Sequence, residues 1–444
     1  MLTELIADAA LDVGLPVVKR AVGVVTRVLP IPQPTLMVGP GSSTRLGETV
    51  SGLGHRRIFV ATDAVITRLG LASPFLEALT RGGSTFVVFD GITPDAPIPV
   101  LEKGIELYRR ERCDAIVAFG GGSVMDSAKA IGVSVANGRH PRQLVGYFRG
   151  WSAPPPIYAV PTTAGTGSEV TVAAVISDPE SHAKLVIADT RLVPRLAALD
   201  PCLMTGLPAP ITAATGMDAL THAIEAYIGH WGTDFTDRMA LAAVSMIYGN
   251  LPVAYANGQD LGAREKMALA STYAGLAFTR ANVGNVHAIA HQLGGLYHTP
   301  HGLANAIVLP HVLRFSSPSC TARLADLAVQ AGVGERGQPE AELAGKFLDS
   351  VESLNASLGI PGRLDALREE DIPRLAQAAC READTNYPVP SRMSRAACEE
   401  LLRQLLPVPG DPAPAPPRGP RKTGKARRSR RAARAGAGLG ARTP

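Results

Sequence analysis

The sequence predicts an α/β domain followed by an all-helical one, and three observations lead there. Between residues 34 and 205, short apolar runs such as Phe86-Val87-Val88-Phe89 alternate with helical stretches, the pattern of a parallel sheet covered by helices. One such run, ending at Phe119, empties into Gly120-Gly121-Gly122-Ser123 just before a helix-like stretch. From 206 to 407 the chain turns to long helical segments, among them Arg238 to Tyr248, Glu340 to Leu358 and Arg395 to Leu406.

The chain opens with Glu4, Asp8 and Asp12 at helical spacing and Leu5, Ile6, Ala9 and Ala10 on other faces. That predicts an amphipathic helix able to pack on the body or on a partner subunit. Arg57 to Asp63 reads as a strand ending in a carboxylate, which either caps the next helix or meets a ligand. Arg112 to Phe119 reads as a buried strand, and Val124 to Gly132 as the helix beyond the glycines. Glycines at a strand-to-helix turn let the backbone approach a pyrophosphate closely, and the helix N-terminus offers free N–H groups to the anion. Gly120, Gly121, Gly122 and Ser123 are therefore candidate cofactor contacts. Asp126 lies early in the helix, where the dipole stabilises a carboxylate whether or not a cofactor is near.

The second half carries the metal chemistry. Asp218 and His222 stand four apart in a segment rich in helix formers, so both side chains share one face. His287 and His291 repeat that spacing, and Thr299-Pro300-His301-Gly302 brings another imidazole in on a turn that opens the next helix. Of ten histidines, four (His287, His291, His298 and His301) fall in one short stretch of an apolar region, where solvated imidazoles would be out of place. One carboxylate and three neutral imidazoles, from Asp218, His222, His287 and His301, suit Fe(II) or Zn(II) and argue against Ca(II) or Mg(II).

Gly216-Met217-Asp218 with His222, together with the run from Asn285 to His311, resembles the iron-containing, or group III, alcohol dehydrogenases. The resemblance covers roughly residues 34 to 405, starting at Pro34-Thr35-Leu36-Met37-Val38-Gly39-Pro40-Gly41, so that residues 1–33 form an N-terminal extension. It implies a Rossmann-like nucleotide-binding domain over 34–205 and an all-α metal-binding catalytic domain over 206–407, a dehydroquinate synthase-like fold. It assigns the metal to Asp218, His222, His287 and His301, and places His291 on the substrate side as a proton-relay candidate. The segment Val160 to Glu169 matches the family's PTTAGTGSE loop, which adds Thr162, Thr163, Thr166 and Ser168 to the cofactor contacts. Asp63 falls where NAD enzymes of this kind set a carboxylate against the adenosine ribose; such a group repels a 2′-phosphate, so NAD is favoured over NADP. The resemblance also brings Asp126 near the cofactor and Lys184 near its nicotinamide half. Thr93-Pro94-Asp95-Ala96-Pro97 departs from the pattern, since relatives carry an Asn-Pro-Thr stretch there beside the cofactor.

Composition fits a globular enzyme, with 46% hydrophobic and 19% charged residues. No uninterrupted apolar run reaches the ~18 residues of a membrane span, and the first residues lack the basic region of a signal peptide. Five scattered cysteines without CxxC spacing argue against a disulfide framework and for a reducing cytoplasm. Residues 408–444 are different in kind: rich in Pro, Arg, Ala and Gly, with net charge +9 against −4 for the remainder, they read as a disordered tail. The expectation is an NAD-dependent, metal-dependent dehydrogenase that interconverts a primary alcohol and its aldehyde, as a homodimer or larger homo-oligomer. The alternatives are a hydroxyacid–oxoacid transhydrogenase on the same fold, or an accessory protein that binds nucleic acid through its tail.

Overall fold

The computed structural model describes residues 29–181 and 183–407. The expected N-terminal amphipathic helix and the basic tail from 408 lie outside the described residues.

Strands apolar on both faces can exist only inside a three-layer sandwich, and the sequence around Ala115 shows the mechanism. Ile116 and Ala118 pack into one core while Ala115, Val117 and Phe119 pack into another, so neither face meets water. Phe59 and Ala61 against Ile58 and Val60 divide in the same way. Six strands join in parallel: β1 (Thr35–Val38), β2 (Ile58–Asp63), β3 (Phe86–Ile92), β4 (Ala115–Gly120), β6 (Ile157–Pro161) and β9 (Leu196–Leu199), in the order β1-β9-β6-β4-β2-β3. The helices between them are α1 (Ser42–Ser51), α2 (Ala64–Leu69), α3 (Ser73–Arg81), α4 (Ile98–Arg110) and α5 (Gly122–Asn137). A second, mixed sheet of β5 (Gly146–Tyr147), β7 (Ala173–Asp178) and β8 (Ala183–Ala188), in the order β5-β8-β7, was not expected. β5 is only two residues long, and β7 and β8 pair antiparallel to each other outside the main sheet.

Chain order locates the ligand-binding end. From β2 the chain passes to β3 on one side and then returns to β4 on the other, so the winding reverses between β2 and β4. The crevice beyond the carboxyl ends at such a reversal is where open parallel sheets bind ligands. Asp63 ends β2 and Gly120 ends β4, two residues beyond the paired Ala61 and Ala118.

The second half is all-helical, as expected: α6 (Ala209–Ile228), α7 (Asp234–Ala256), α8 (Leu261–Ala281), α9 (Asn285–Tyr297), α10 (His301–Gln330), α11 (Glu340–Ser357), α12 (Ile372–Asn386) and α13 (Arg395–Gln404). They share one apolar core, from Met217 and Leu220 to Leu401 and Leu402. Helix α7 is long and apolar enough to cross a membrane by length and composition alone; here it packs against α6 and α8.

The halves meet through the loop after β6. Gly167 adopts φ +59°, and a Cβ there would lie 2.6 Å from the Ser271 carbonyl oxygen. Gly275, one helical turn on, is its counterpart: a Cβ would stand 2.8 Å from the Gly167 oxygen and 2.7 Å from Val170 Cγ2. Gly275→Ala sets two effects against each other. Helix propensity would gain about 1 kcal/mol, but the clash is largely with backbone that cannot rotate away, and overpacking costs about 1–3 kcal/mol. We expect the clash to dominate, and thermal denaturation should show a lower Tm; a raised Tm would mean the loop does not rest on α8 this closely.

Candidate active site

Helix α6 sets the first two groups. Asp218 and His222 stand one turn apart on its buried face, with His222 Nδ1 4.0 Å from Asp218 Oδ2. Phe278 of α8 lies flat against the His222 ring, 4.2 Å between centroids. His287 enters from α9 and stacks on the other side, 4.5 Å from His222. His301 opens α10, with Nε2 3.5 Å from Asp218 Oδ1. The glycine after it is required by space: a Cβ on Gly302 would sit 2.2 Å from the Ala214 carbonyl oxygen, so only glycine lets this turn press onto α6.

One ligand atom from each of Asp218, His222, His287 and His301 lies within 4.8 Å of the others. The donor set fits a metal ion on two counts. Among the described residues, His222 Nδ1 is buried without a hydrogen-bond partner. The Asn305 amide nitrogen faces Asp218 Oδ1 at 2.7 Å, His287 Nε2 at 3.2 Å and His301 Nε2 at 3.2 Å. An amide has two hydrogens for those three acceptors, so the cluster lacks positive charge that a cation would supply. Its size also agrees: bonds of about 2.0–2.1 Å in a tetrahedron put ligand atoms roughly 3.4 Å apart. Burial lowers the pKa of His222, drives that of His287 well down and brings His301 to about 4, against the opposing pull of Asp218 on His222 and His301. All three imidazoles are thus neutral at pH 7, the form that ligates.

Glu225, which sequence reasoning missed, fixes one of them. Its carboxylate accepts from His287 Nδ1 at 2.6 Å, from the Val286 amide at 2.7 Å and from the Gly284 amide at 2.9 Å. The last two are free N–H groups at the start of α9, where a negative charge is favoured by the helix dipole. With Nδ1 donating, His287 keeps the Nε2 lone pair for the cluster. A signal was present: Glu225 falls on the α6 face of Asp218 and His222, and Asn305 four residues after His301 is a second unread pair. Burial pushes the Glu225 carboxyl up to about 7, opposed by these bonds.

His291 lies beside the cluster and outside it. Its ring stacks on His301 at 5.3 Å, and Nδ1 meets Glu382 Oε1 at 2.6 Å. Glu382 also receives the Tyr387 hydroxyl at 2.6 Å and the Gln292 amide at 2.7 Å. Burial would raise its carboxyl, but His291 and those bonds hold it below the usual range.

The sequence-assigned cofactor residues divide into two groups. Gly120, Gly121 and Gly122 form the turn into α5, and a Cβ on Gly122 would be 2.6 Å from Thr166 Cγ2, so the glycine and threonine loops touch. Thr162 is buried, its amide bonded to the Gly120 oxygen at 3.1 Å, while Thr163 and Thr166 are half-buried at the junction. Asp63 Oδ1 caps α2 through the Val65 and Ile66 amides at 2.8 and 3.0 Å, so the capping alternative is realised whatever else the carboxylate meets.

Ser168 is turned away from the cleft: its hydroxyl donates to Asp126 Oδ1 at 2.7 Å and accepts from Lys129 Nζ at 3.0 Å. Asp126 takes the Val175 amide on its other oxygen at 3.0 Å. Lys129, fully buried and unforeseen, also donates to the carbonyls of Ser168, Thr171 and Ala173 at 2.6 to 2.9 Å. These three residues shape the loop from inside, which explains why Ser168 has no hydroxyl to spare. Ser123 Oγ accepts from the Asp95 amide at 3.0 Å, and Lys184 forms an ion pair with Asp95.

Comparison with known proteins agrees with this arrangement. The model of the iron-containing alcohol dehydrogenases matches residues 33–201, and that of the C-terminal domain of the Fe-containing alcohol dehydrogenase family matches 212–406. The 1,3-propanediol dehydrogenase of Citrobacter freundii is 40% identical over 370 residues, 82% of this chain and 95% of that one. The NAD-dependent methanol dehydrogenase of Bacillus methanolicus is 38% identical over 354 residues, 79% of this chain and 93% of that one. A crystal structure of a 1,3-propanediol oxidoreductase superposes with a TM-score of 0.82 at 38% identity, covering 85% of this chain and 99% of that one. With both halves matched, the chain belongs to the iron-containing alcohol dehydrogenase family of oxidoreductases.

Proposed function

We propose that this chain is an NAD-linked dehydrogenase that interconverts short primary alcohols and their aldehydes, with Fe(II) as the metal and Zn(II) acceptable to the same donors. The observation that carries it is the largely buried, cation-deficient cluster of Asp218, His222, His287 and the half-buried His301. The names of the relatives support the substrate class, since methanol and 1,3-propanediol are small and uncharged, and one of them is NAD-dependent by name. The transhydrogenase alternative is not favoured, because the similar proteins named above are dehydrogenases or oxidoreductases.

When bound, the metal would polarise the substrate oxygen as a Lewis acid and the nicotinamide would carry the hydride. The chain supplies the rest. Glu225 holds His287 in the ligating tautomer. The N-terminus of α5, opened by Gly121 and Gly122, would take the pyrophosphate, and Asp63 the adenosine ribose. His291 has Nδ1 committed to Glu382, which leaves Nε2 to receive or return the alcohol proton. Five free cysteines (Cys113, Cys202, Cys320, Cys380 and Cys398) support a cytoplasmic setting, and the family resemblance a homo-oligomer.

The test is NAD reduction by a panel of primary alcohols, with metal-stripped protein reconstituted in parallel with Fe(II) and Zn(II). Turnover only after metal addition is expected; none with either ion, in folded protein, would refute the reading. Glu225→Gln should weaken metal affinity about 10–100-fold when titrated against a chelator, with the fold retained by circular dichroism. Asp63→Ser preserves a helix cap while removing the charge that repels a 2′-phosphate. Its ratio of kcat/KM for NADP over NAD should rise on the order of tenfold or more; an unchanged ratio would assign Asp63 to capping alone.

A further inference from the structure

Two successive non-glycine residues, Asp95 at φ +68° and Ala96 at φ +48°, adopt the left-handed backbone. This is a disfavoured conformation that persists only when the surroundings impose it, and it collects at functional sites. The surroundings are visible. Ala96 is fully buried, its carbonyl accepts the Ser177 amide at 3.2 Å, and Pro97 bridges to Ser177 of β7. Ser177 in turn stands directly opposite Lys184 of β8. Pinning the loop to β7 therefore delivers Asp95 to Lys184, and the ammonium donates to Asp95 Oδ1. The Asp95 amide is bonded to Ser123 Oγ at 3.0 Å, so the pair adjoins the glycine turn.

The strand of Lys184 also meets the helical half. Strand β8 packs on α9, the helix of His287 and His291. The Lys184 side chain is 17% exposed against 46% for Asp95, so the cation is the more sheltered partner and the less screened by solvent. A free ammonium in that place would attract any substrate bearing a carboxylate, sulfonate or phosphate.

We propose that Asp95 is a specificity-determining residue: by occupying Lys184 it closes the cleft to anionic substrates and leaves it to uncharged alcohols and aldehydes. The inference rests on the dehydrogenase reading and names the residue that sets its substrate class.

Asp95→Asn is the discriminating variant, since asparagine tolerates the left-handed backbone and keeps the side-chain size. The probes are 3-hydroxypropanoate and 1,3-propanediol, which differ in one terminal group, tested on the full chain reconstituted with metal. The acid-to-diol ratio of kcat/KM should rise on the order of tenfold in Asp95→Asn, chiefly through KM for the acid. Equilibrium dialysis should show 3-hydroxypropanoate binding tighter than to the wild type. Added salt should shrink the gain, and the further substitution Lys184→Met should remove it. An unchanged ratio overturns the proposal, as does wild type that binds the acid as tightly as the variant. A shift in KM for NAD alone would assign the pair to the cofactor and overturn it too. Should the wild type oxidise no alcohol, the dehydrogenase reading fails, while the dialysis comparison still decides whether Asp95 withholds Lys184 from anions.

Discussion

The helical half is organised around a shortage of protons. Four acceptor groups converge in its interior, and burial keeps three of them, the imidazoles, uncharged. An isolated carboxylate such as Asp218 would be costly to bury among them. The cluster persists because its surroundings do the orienting: Phe278 flattens His222, Glu225 fixes His287, and Asn305 turns its two amide hydrogens towards three acceptors. Each helix that contributes a ligand is thereby tied to another. Glu225 joins α6 to the first turn of α9, and Asn305 joins α10 to both. The core of this half is as much the frame of a metal site as a hydrophobic interior.

The α/β half solves the opposite problem, placing one buried cation. Lys129 is fully enclosed, and its ammonium is met by three carbonyls and two hydroxyls, with Asp126 and Glu169 close enough to oppose the lowering of its pKa that burial causes, to about 8. A lysine so placed pins the chain from Ser168 to Ala173 onto α5. Sequence inspection reads Asp126 and Ser168 as cofactor contacts because both stand in the right loops. In the structure the Ser168 hydroxyl joins Asp126 to Lys129, so both residues hold the loop against α5.

What was legible in the sequence follows from spacing. The helix pairs Asp218/His222 and His287/His291 need only the helical repeat to be found, and the turn from β4 into α5 only a strand, three glycines and a helix. Much of what was missed takes its meaning from chain segments far apart, even where, as at Glu225, the helix face was legible. Glu225 makes sense only once Gly284 and His287 are known to face it, and Glu382 is distant in sequence from His291 yet 2.6 Å away in space. Lys129 looked like any lysine on a helix, since nothing local reveals that carbonyls some forty residues later will surround it. The sheet of β5, β7 and β8 escaped for a related reason: it exists only through the pairing of separate segments, β7 against β8 and β8 against β5.

The two halves must hold a hydride donor and acceptor in register, and side chains alone would leave slack. The loop after β6 removes it with backbone contacts. A Cβ on Gly165 would lie 2.9 Å from Thr215 Cβ and 3.1 Å from its carbonyl oxygen, three residues before Asp218. Gly167 lies as tightly on α8, and Gly122 as tightly on Thr166. The chain therefore runs from the glycine turn, through the Thr166 side chain and Gly165, to the helix of Asp218. Where main chain rests on main chain, distance is fixed by van der Waals radii, and near-attack geometry tolerates little more error than that. Gly165 and Gly167 are thus positional requirements of this junction, because a side chain at either would press on the main chain of α6 or α8.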